Sequence, residues 1–224
     1  MLDHMCFSAS ASFAAGTFLL GVGTLTYRSA RVPAERPFAV IPLLFAVQQL
    51  IEGGVWLTFS HDAPLLNQWM TWAYSLFALL LWPVFVPAAV LLMEPPGWRR
   101  QALRLFVAAG LVVSGALLFT ITEYGVVSRV VGQHVEYVMP HYFLPVTTMA
   151  LYLLSTSGSE MLSSFGKVRA FGVLALLSFG AAYVAYTQWF ISVWCYFAAA
   201  LSTLILLHFH AASNRSTAPR MVTN

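Results

Sequence analysis

Long apolar runs alternate with short polar breaks along nearly the whole chain. Seven runs are long enough to cross a bilayer: residues 7–27, 37–59, 68–93, 102–123, 141–157, 170–188 and 190–211. A crossing takes roughly 20 mostly apolar residues, because the hydrocarbon core is about 30 Å thick and a helix rises about 1.5 Å per residue. The fifth run is the shortest. The pattern predicts an all-α integral membrane protein, a seven-transmembrane-helix bundle over 7–212, with an outer tail at 1–6 and a cytoplasmic tail at 213–224.

The breaks support these elements. Pro33, Pro37, Pro64, Pro95, Pro96 and Pro140 fall near junctions, where a missing N–H costs least. Pro42, Pro83, Pro87 and Pro145 lie inside runs, so kinks are expected there, with Ser/Thr groups or neighbouring helices taking up the freed carbonyls. Between the fourth and fifth runs, two β-rich stretches at 126–131 and 134–138 flank Gly132-Gln133. Glycine first in a two-residue turn suits a type II′ hairpin, so a short outer β-hairpin over the mouth of the bundle is expected.

Composition agrees with a membrane solvent: 224 residues, 59% hydrophobic and 8% charged. Soluble chains carry about 25% charged residues. The net charge of +3 does not point to nucleic acid. Ten of the eleven cations fall on one face: Arg28, Arg31, Arg36, Arg99, Arg100, Arg104, Lys167, Arg169, Arg215 and Arg220. Only Arg129 is on the other. By the positive-inside rule the N-terminus is outside and the C-terminus cytoplasmic. A cleaved signal peptide is not expected, since no basic segment or apolar core precedes Ser8–Ala15.

Glu52 is the informative polar residue. It sits two turns below the outer end of the second run, in Gln48-Gln49-Leu50-Ile51-Glu52-Gly53-Gly54-Val55-Trp56. A carboxylate at that depth costs about 2.5–3.5 kcal/mol on insertion scales and normally faces the bundle interior with a partner. No Lys or Arg is available at its level, which leaves a histidine, a hydroxyl, a bound cation or its own proton. Two readings stay open: a cation or proton site, with Gln48 and Gln49 as orienting donors and Trp56 and Trp194 as walls, or a protonated carboxyl joining helices. Gly53 and Gly54 should let another backbone approach.

In the seventh run, Ser192, Cys195, Ala199 and Ser202 recur at helical spacing. Cys195 is level with Cys6. The pair could form a disulfide on the oxidising outer side, act as packing thiols, or join Glu52 and His141 around a divalent or soft metal ion. Glu123 and His141 flank the hairpin as rim ligands or plain interface residues. His4, His61, Asp62, His134 and Glu136 read as solvated, and so do Glu35, Glu94 and Glu160 beside the basic loops. His208 and His210 read as headgroup-level residues. Ser8, Ser12, Gly16 and Gly23 read as small-residue helix packing, and the seven tryptophans mostly as interface belts. Retinal is excluded, because the one lysine, Lys167, lies in a loop.

Met5-Cys6-Phe7-Ser8-Ala9-Ser10-Ala11-Ser12-Phe13-Ala14-Ala15-Gly16 resembles the opening of a family of uncharacterised bacterial multi-pass membrane proteins that begin Met-Cys-Phe-Ser. Gln48-Gln49-x-x-Glu52-Gly53-x-x-Trp56 and Ser192-Val193-Trp194-Cys195-Tyr196-Phe197-Ala198-Ala199 are similar to further segments of it. The resemblance implies a bundle in the bacterial cytoplasmic membrane and a native start at Met5, which would place Cys6 at or next to the terminus. It implies no activity. The expected function is an outward-facing polar pocket around Glu52 that takes a cation or small ligand. Proton-coupled transport and an accessory subunit of a larger complex are the alternatives, and a metal-dependent enzyme is a further version. The expected partners are the lipid bilayer and that ligand.

Overall fold

The computed structural model describes residues 8–132, 134–139, 145–185 and 190–209. Among them, six helices are long and apolar enough to cross a membrane: α1 (Ala9–Ser29), α2 (Pro33–Ser60), α3 (Pro64–Met93), α4 (Trp98–Tyr124), α6 (Gly166–Ala185) and α7 (Ser192–Phe209). Strands β1 (Val127–Val131) and β2 (His134–Val138) follow α4. The helical segment α5, residues 145–162, comprises Pro145–Leu153, a π-helical turn at Leu154–Gly158, and Ser159–Leu162.

Local chemistry explains the helix ends. Ser8 caps α1 by accepting from the Ala11 N–H at 3.2 Å. Glu35 accepts from the Arg31 and Val32 N–H groups at 3.2 and 3.3 Å, which closes the opening turn of α2. Pro64 begins α3, where no N–H is needed. Gly125, with φ at +78°, ends α4 in a backbone region that favours glycine.

Helix α1 packs along α2 through Ser12, Gly16 and Gly23. Helix α3 packs on α4 at Gly110, where an added Cβ would stand 1.8 Å from the Pro83 carbonyl oxygen. Helices α6 and α7 pair, and α5 touches α3, α4 and α6. Before Pro83, α3 widens into a π-helical turn at Leu76–Leu81. Its displaced carbonyls are taken up by other helices: Tyr152 on α5 donates to Ala78 O at 2.5 Å, and Ser114 on α4 to Leu80 O at 2.8 Å.

The expected fifth run ended at Ser157, where the apolar sequence stops. The helix instead continues to Leu162, because Ser155, Thr156, Ser157, Ser159 and Glu160 are all buried against neighbouring helices. Outside the bundle, Leu105, Phe119, Leu177 and Val184 stand exposed at 61–84%. A water-soluble surface does not carry such a belt, and hydrocarbon solvates it. Trp69 and Trp98 are exposed near opposite ends, as interface residues should be, but Trp82 is buried, contrary to a belt role.

Strands β1 and β2 pair antiparallel, Val127 opposite Val138 and Arg129 opposite Glu136, and the Arg129 Nε to Glu136 Oε2 ion pair measures 2.6 Å. Gly132 opens the turn with φ at +64°. Gln68 Nε2 donates to Val126 O at 3.0 Å, the Thr71 and Ser128 hydroxyls meet at 2.6 Å, and Ser128 donates to Asn67 Oδ1 at 3.1 Å. These bonds hold the strands on the first turns of α3. Strand alternation turns Val135 and Tyr137 inward, where both are buried.

Candidate functional site

Residues from four elements converge beneath the strands. Glu52 lies mid-way along α2, and its carboxylate accepts a hydrogen bond from the Ser192 hydroxyl of α7. Gln48 and Gln49, one turn earlier, are fully buried, and Glu52 is 2% exposed. Tyr74 comes from α3 and stacks on Tyr137 of β2 with ring centroids 4.3 Å apart. Cys195, one turn after Ser192, is a buried free thiol within electrostatic reach of Glu52, Tyr74 and Gln48.

Hydrogen bonding in this cluster is incomplete. Trp82 Nε1 donates to Gln48 Oε1 at 2.7 Å while its ring stacks on Phe45 at 4.0 Å. Gln48 Nε2, both amide atoms of Gln49, and the Tyr74 and Tyr137 hydroxyls have no hydrogen-bond partner. Gln49 and Tyr74 lie close enough to Glu52 to bias it electrostatically, yet neither closes a bond of good geometry to it. Burial raises the Tyr137 phenol well above its ordinary range, with the nearby Glu52 carboxylate adding to the effect, so the hydroxyl stays a neutral donor. The site thus offers four donor groups, one amide acceptor and one carboxylate, with no basic residue forming an ion pair to it among the described residues.

The expected site residues separate on inspection. Gln48, Gln49, Glu52 and Cys195 come together. Trp194 stands on a neighbouring wall: its Nε1 donates to Ala175 O at 3.1 Å and its ring meets Tyr152 edge-on. Trp56 is half-buried against the apolar core. Cys6 and His141 lie outside the described residues, as do the tails and His210. Among the described residues no group of three His, Cys, Asp or Glu is poised to hold a metal. Glu123 is exposed, away from the cluster. Gly53 and Gly54 do not receive a backbone; they face the Phe13 ring and the Met70 thioether.

Two acids expected to be solvated are buried. Glu94 is 3% exposed and accepts from the Ser164 N–H at 3.0 Å and the Ser163 hydroxyl at 3.2 Å, holding the α5–α6 connection to the end of α3. Glu160 is 2% exposed, and its Oε1 has no partner. Glu160 reads as a loop residue because the apolar run stops at Ser157, five residues before the helix ends at Leu162. His208 packs edge-on against Phe38 and Phe165 near the end of α7. Glu136, expected to be solvated, is half-buried and paired with Arg129. Tyr74, Tyr137 and Trp82 escaped sequence reasoning, although β-alternation with Val135 could have turned Tyr137 inward.

The chain belongs to a family of unknown function, DUF6629, whose model matches residues 5–222. No curated protein and no solved structure matches it.

Proposed function

We propose that this is a multi-pass protein of the bacterial cytoplasmic membrane, its N-terminus outside, whose Glu52 cluster binds a cation, either a metal ion or a proton. The single observation behind this reading is the buried Glu52 carboxylate, met by the Ser192 hydroxyl and by no basic side chain among the described residues, with Gln49 Oε1 and the Tyr74 and Tyr137 hydroxyls beside it closing no hydrogen bond of good geometry. Each such atom costs about 1–3 kcal/mol when left bare, so their grouping about one carboxylate favours an occupant that satisfies them. Carboxylate, amide and phenol oxygens grouped without a basic side chain suit a small cation with its water better than an anion. The sidedness rests on the cation distribution, since the described basic loops lie at the end opposite the strands. On this reading α5 is the seventh crossing and Tyr137 roofs the site.

Gln48 and Glu52 turned to lipid or to a lateral partner would favour an accessory subunit, and both are buried inside the bundle. Metal analysis of the full chain purified in detergent without chelators tests the proposal, with melting recorded against monovalent and divalent chlorides and an infrared spectrum of the carboxyl region. Glu52→Gln keeps the side-chain size and an acceptor for Ser192. The expected result is a metal, a salt-induced stabilisation or a protonated-carboxyl band present in wild type and lost in Glu52→Gln. Absence of all three differences overturns the reading.

A further inference from the structure

Below the Glu52 cluster the bundle holds a cavity of about 40 Å³, enough for one or two water molecules. Cys195 and Trp82 line it, and both also belong to the Glu52 cluster, through the Cys195 thiol beside Glu52 and the Trp82 bond to Gln48. Its other end is formed by Thr156, Ser157 and Glu160 of α5. The Ser157 hydroxyl and Glu160 Oε1 are both buried without a partner.

Two features build this inner end. The π-helical turn at Leu154–Gly158 buries three consecutive residues, Ser155, Thr156 and Ser157, which a regular α-helix face cannot do. It leaves Ser157 three residues before Glu160, on the same face. Gly172 of α6 then closes over them: an added Cβ would stand 2.7 Å from Glu160 Cβ and 2.9 Å from Ser157 O. The backbone approach therefore seals Glu160 from lipid and leaves the cavity beside it. The charged and titratable groups at the inner ends of the adjoining elements are Glu35 and Arg36 on α2, Glu94 just after α3, Arg99, Arg100 and Arg104 on α4, Lys167 and Arg169 on α6, and His208 on α7. None forms an ion pair with Glu160. Tyr152 and Cys195 are the other titratable groups on the cavity wall.

We propose that Glu160, with Ser157, is a second proton-accepting site, and that the cavity is a water-holding link through which protons pass between Glu160 and Glu52 across the membrane. Glu52 does not itself line the cavity, so the step runs through the Cys195 thiol. The Glu160 O–H bond breaks to a cavity water, that water gives up a proton to the Cys195 sulfur, and the thiol's own proton goes to the Glu52 carboxylate, leaving water and thiol as they began. One acid and one carboxylate exchange states, so the interior carries the same single negative charge before and after the step. The space holds one or two waters and no organic substrate; most of its wall is apolar, and the polar partners for water are the Thr156 and Ser157 hydroxyls, Glu160 and the Cys195 thiol. The inference rests on Glu52 as a cation site for its upper end only.

The test is proton entry into liposomes that hold the full chain and a pH-reporting dye, driven by a potassium diffusion potential. Wild type is expected to admit protons above the rate of empty vesicles, and Glu160→Gln to fall to that rate. Glu160→Gln should also keep the metal, salt or infrared signature of Glu52, which separates failure of this proposal from failure of the Glu52 reading. Ser157→Ala, which leaves the carboxylate in place, should lower the rate, and Glu160→Asp should recover part of it. This second pair decides the matter if Glu160→Gln does not fold. Wild-type entry no faster than empty vesicles, or entry unchanged in Glu160→Gln or Ser157→Ala, overturns the proposal.

Discussion

Single side chains carry the polar interior, and their contributions are separable. Trp82 both stacks on Phe45 and donates to Gln48, so Trp82→Phe keeps most of the ring and removes the donor. Gln48 would then have neither amide atom satisfied. A loss of about 1–3 kcal/mol in detergent unfolding is expected for one more bare buried polar atom. Ser192→Ala removes the hydroxyl that bonds Glu52 across to α7. It is expected to weaken whatever cation signature Glu52 shows without abolishing it, read in the same melting assay. Glu52 itself was legible in the sequence, because a lone carboxylate in an apolar run without a cation at its level is conspicuous. Tyr74 was not, because an amphipathic tyrosine in a crossing gives no sign of which way it points.

At the scale of elements, close approach between helices and the docking of the strands decide the geometry. Gly110→Ala would place a methyl 1.8 Å from the Pro83 carbonyl oxygen. Overpacking of this kind costs about 1–3 kcal/mol or more, so it should lower the melting temperature or prevent folding. Gly115→Ala on the same helix meets nothing within 4 Å and should be neutral or raise stability by about 0.5–1 kcal/mol through lower chain entropy. The two variants compared in one unfolding assay isolate the approach from the residue type.

The strand pair has its own pH response. Partial burial holds the His134 imidazole below its ordinary value of 6.5. The unfolded strand therefore binds more protons than the docked one as pH drops through that range. Docking is full above the ordinary histidine value and is lost as pH falls through the lowered one. Amide hydrogen exchange of residues 127–138, measured on either side of that window and referred to the intrinsic rate at each pH, should show less protection on the acid side. Unchanged protection would mean that His134 contributes nothing to docking.

For the molecule as a whole, sidedness is the property to measure. Single cysteines at Ser128 and Ser164 in a Cys6→Ser, Cys195→Ala background should react with a membrane-impermeant maleimide in opposite preparations. Position 128 should label in intact cells and position 164 only in inverted vesicles. The reverse pattern would place the N-terminus in the cytoplasm despite the basic loops.

The amino-acid sequence by itself determined the solvent, the six long helices, the sites of the proline breaks and the loop charge. Each follows from local composition: apolar length, missing N–H groups, and lysine and arginine counts between runs. Tertiary structure alone decided which polar groups meet. Glu52, Tyr74, Tyr137 and Ser192 are far apart in the chain, and no local rule relates them. It also decided that α5 continues past its apolar sequence. A helix end with Ser157 and Glu160 reads as a solvated loop until packing by α3, α6 and Gly172 removes water from it, so burial is a property of neighbours and not of the segment.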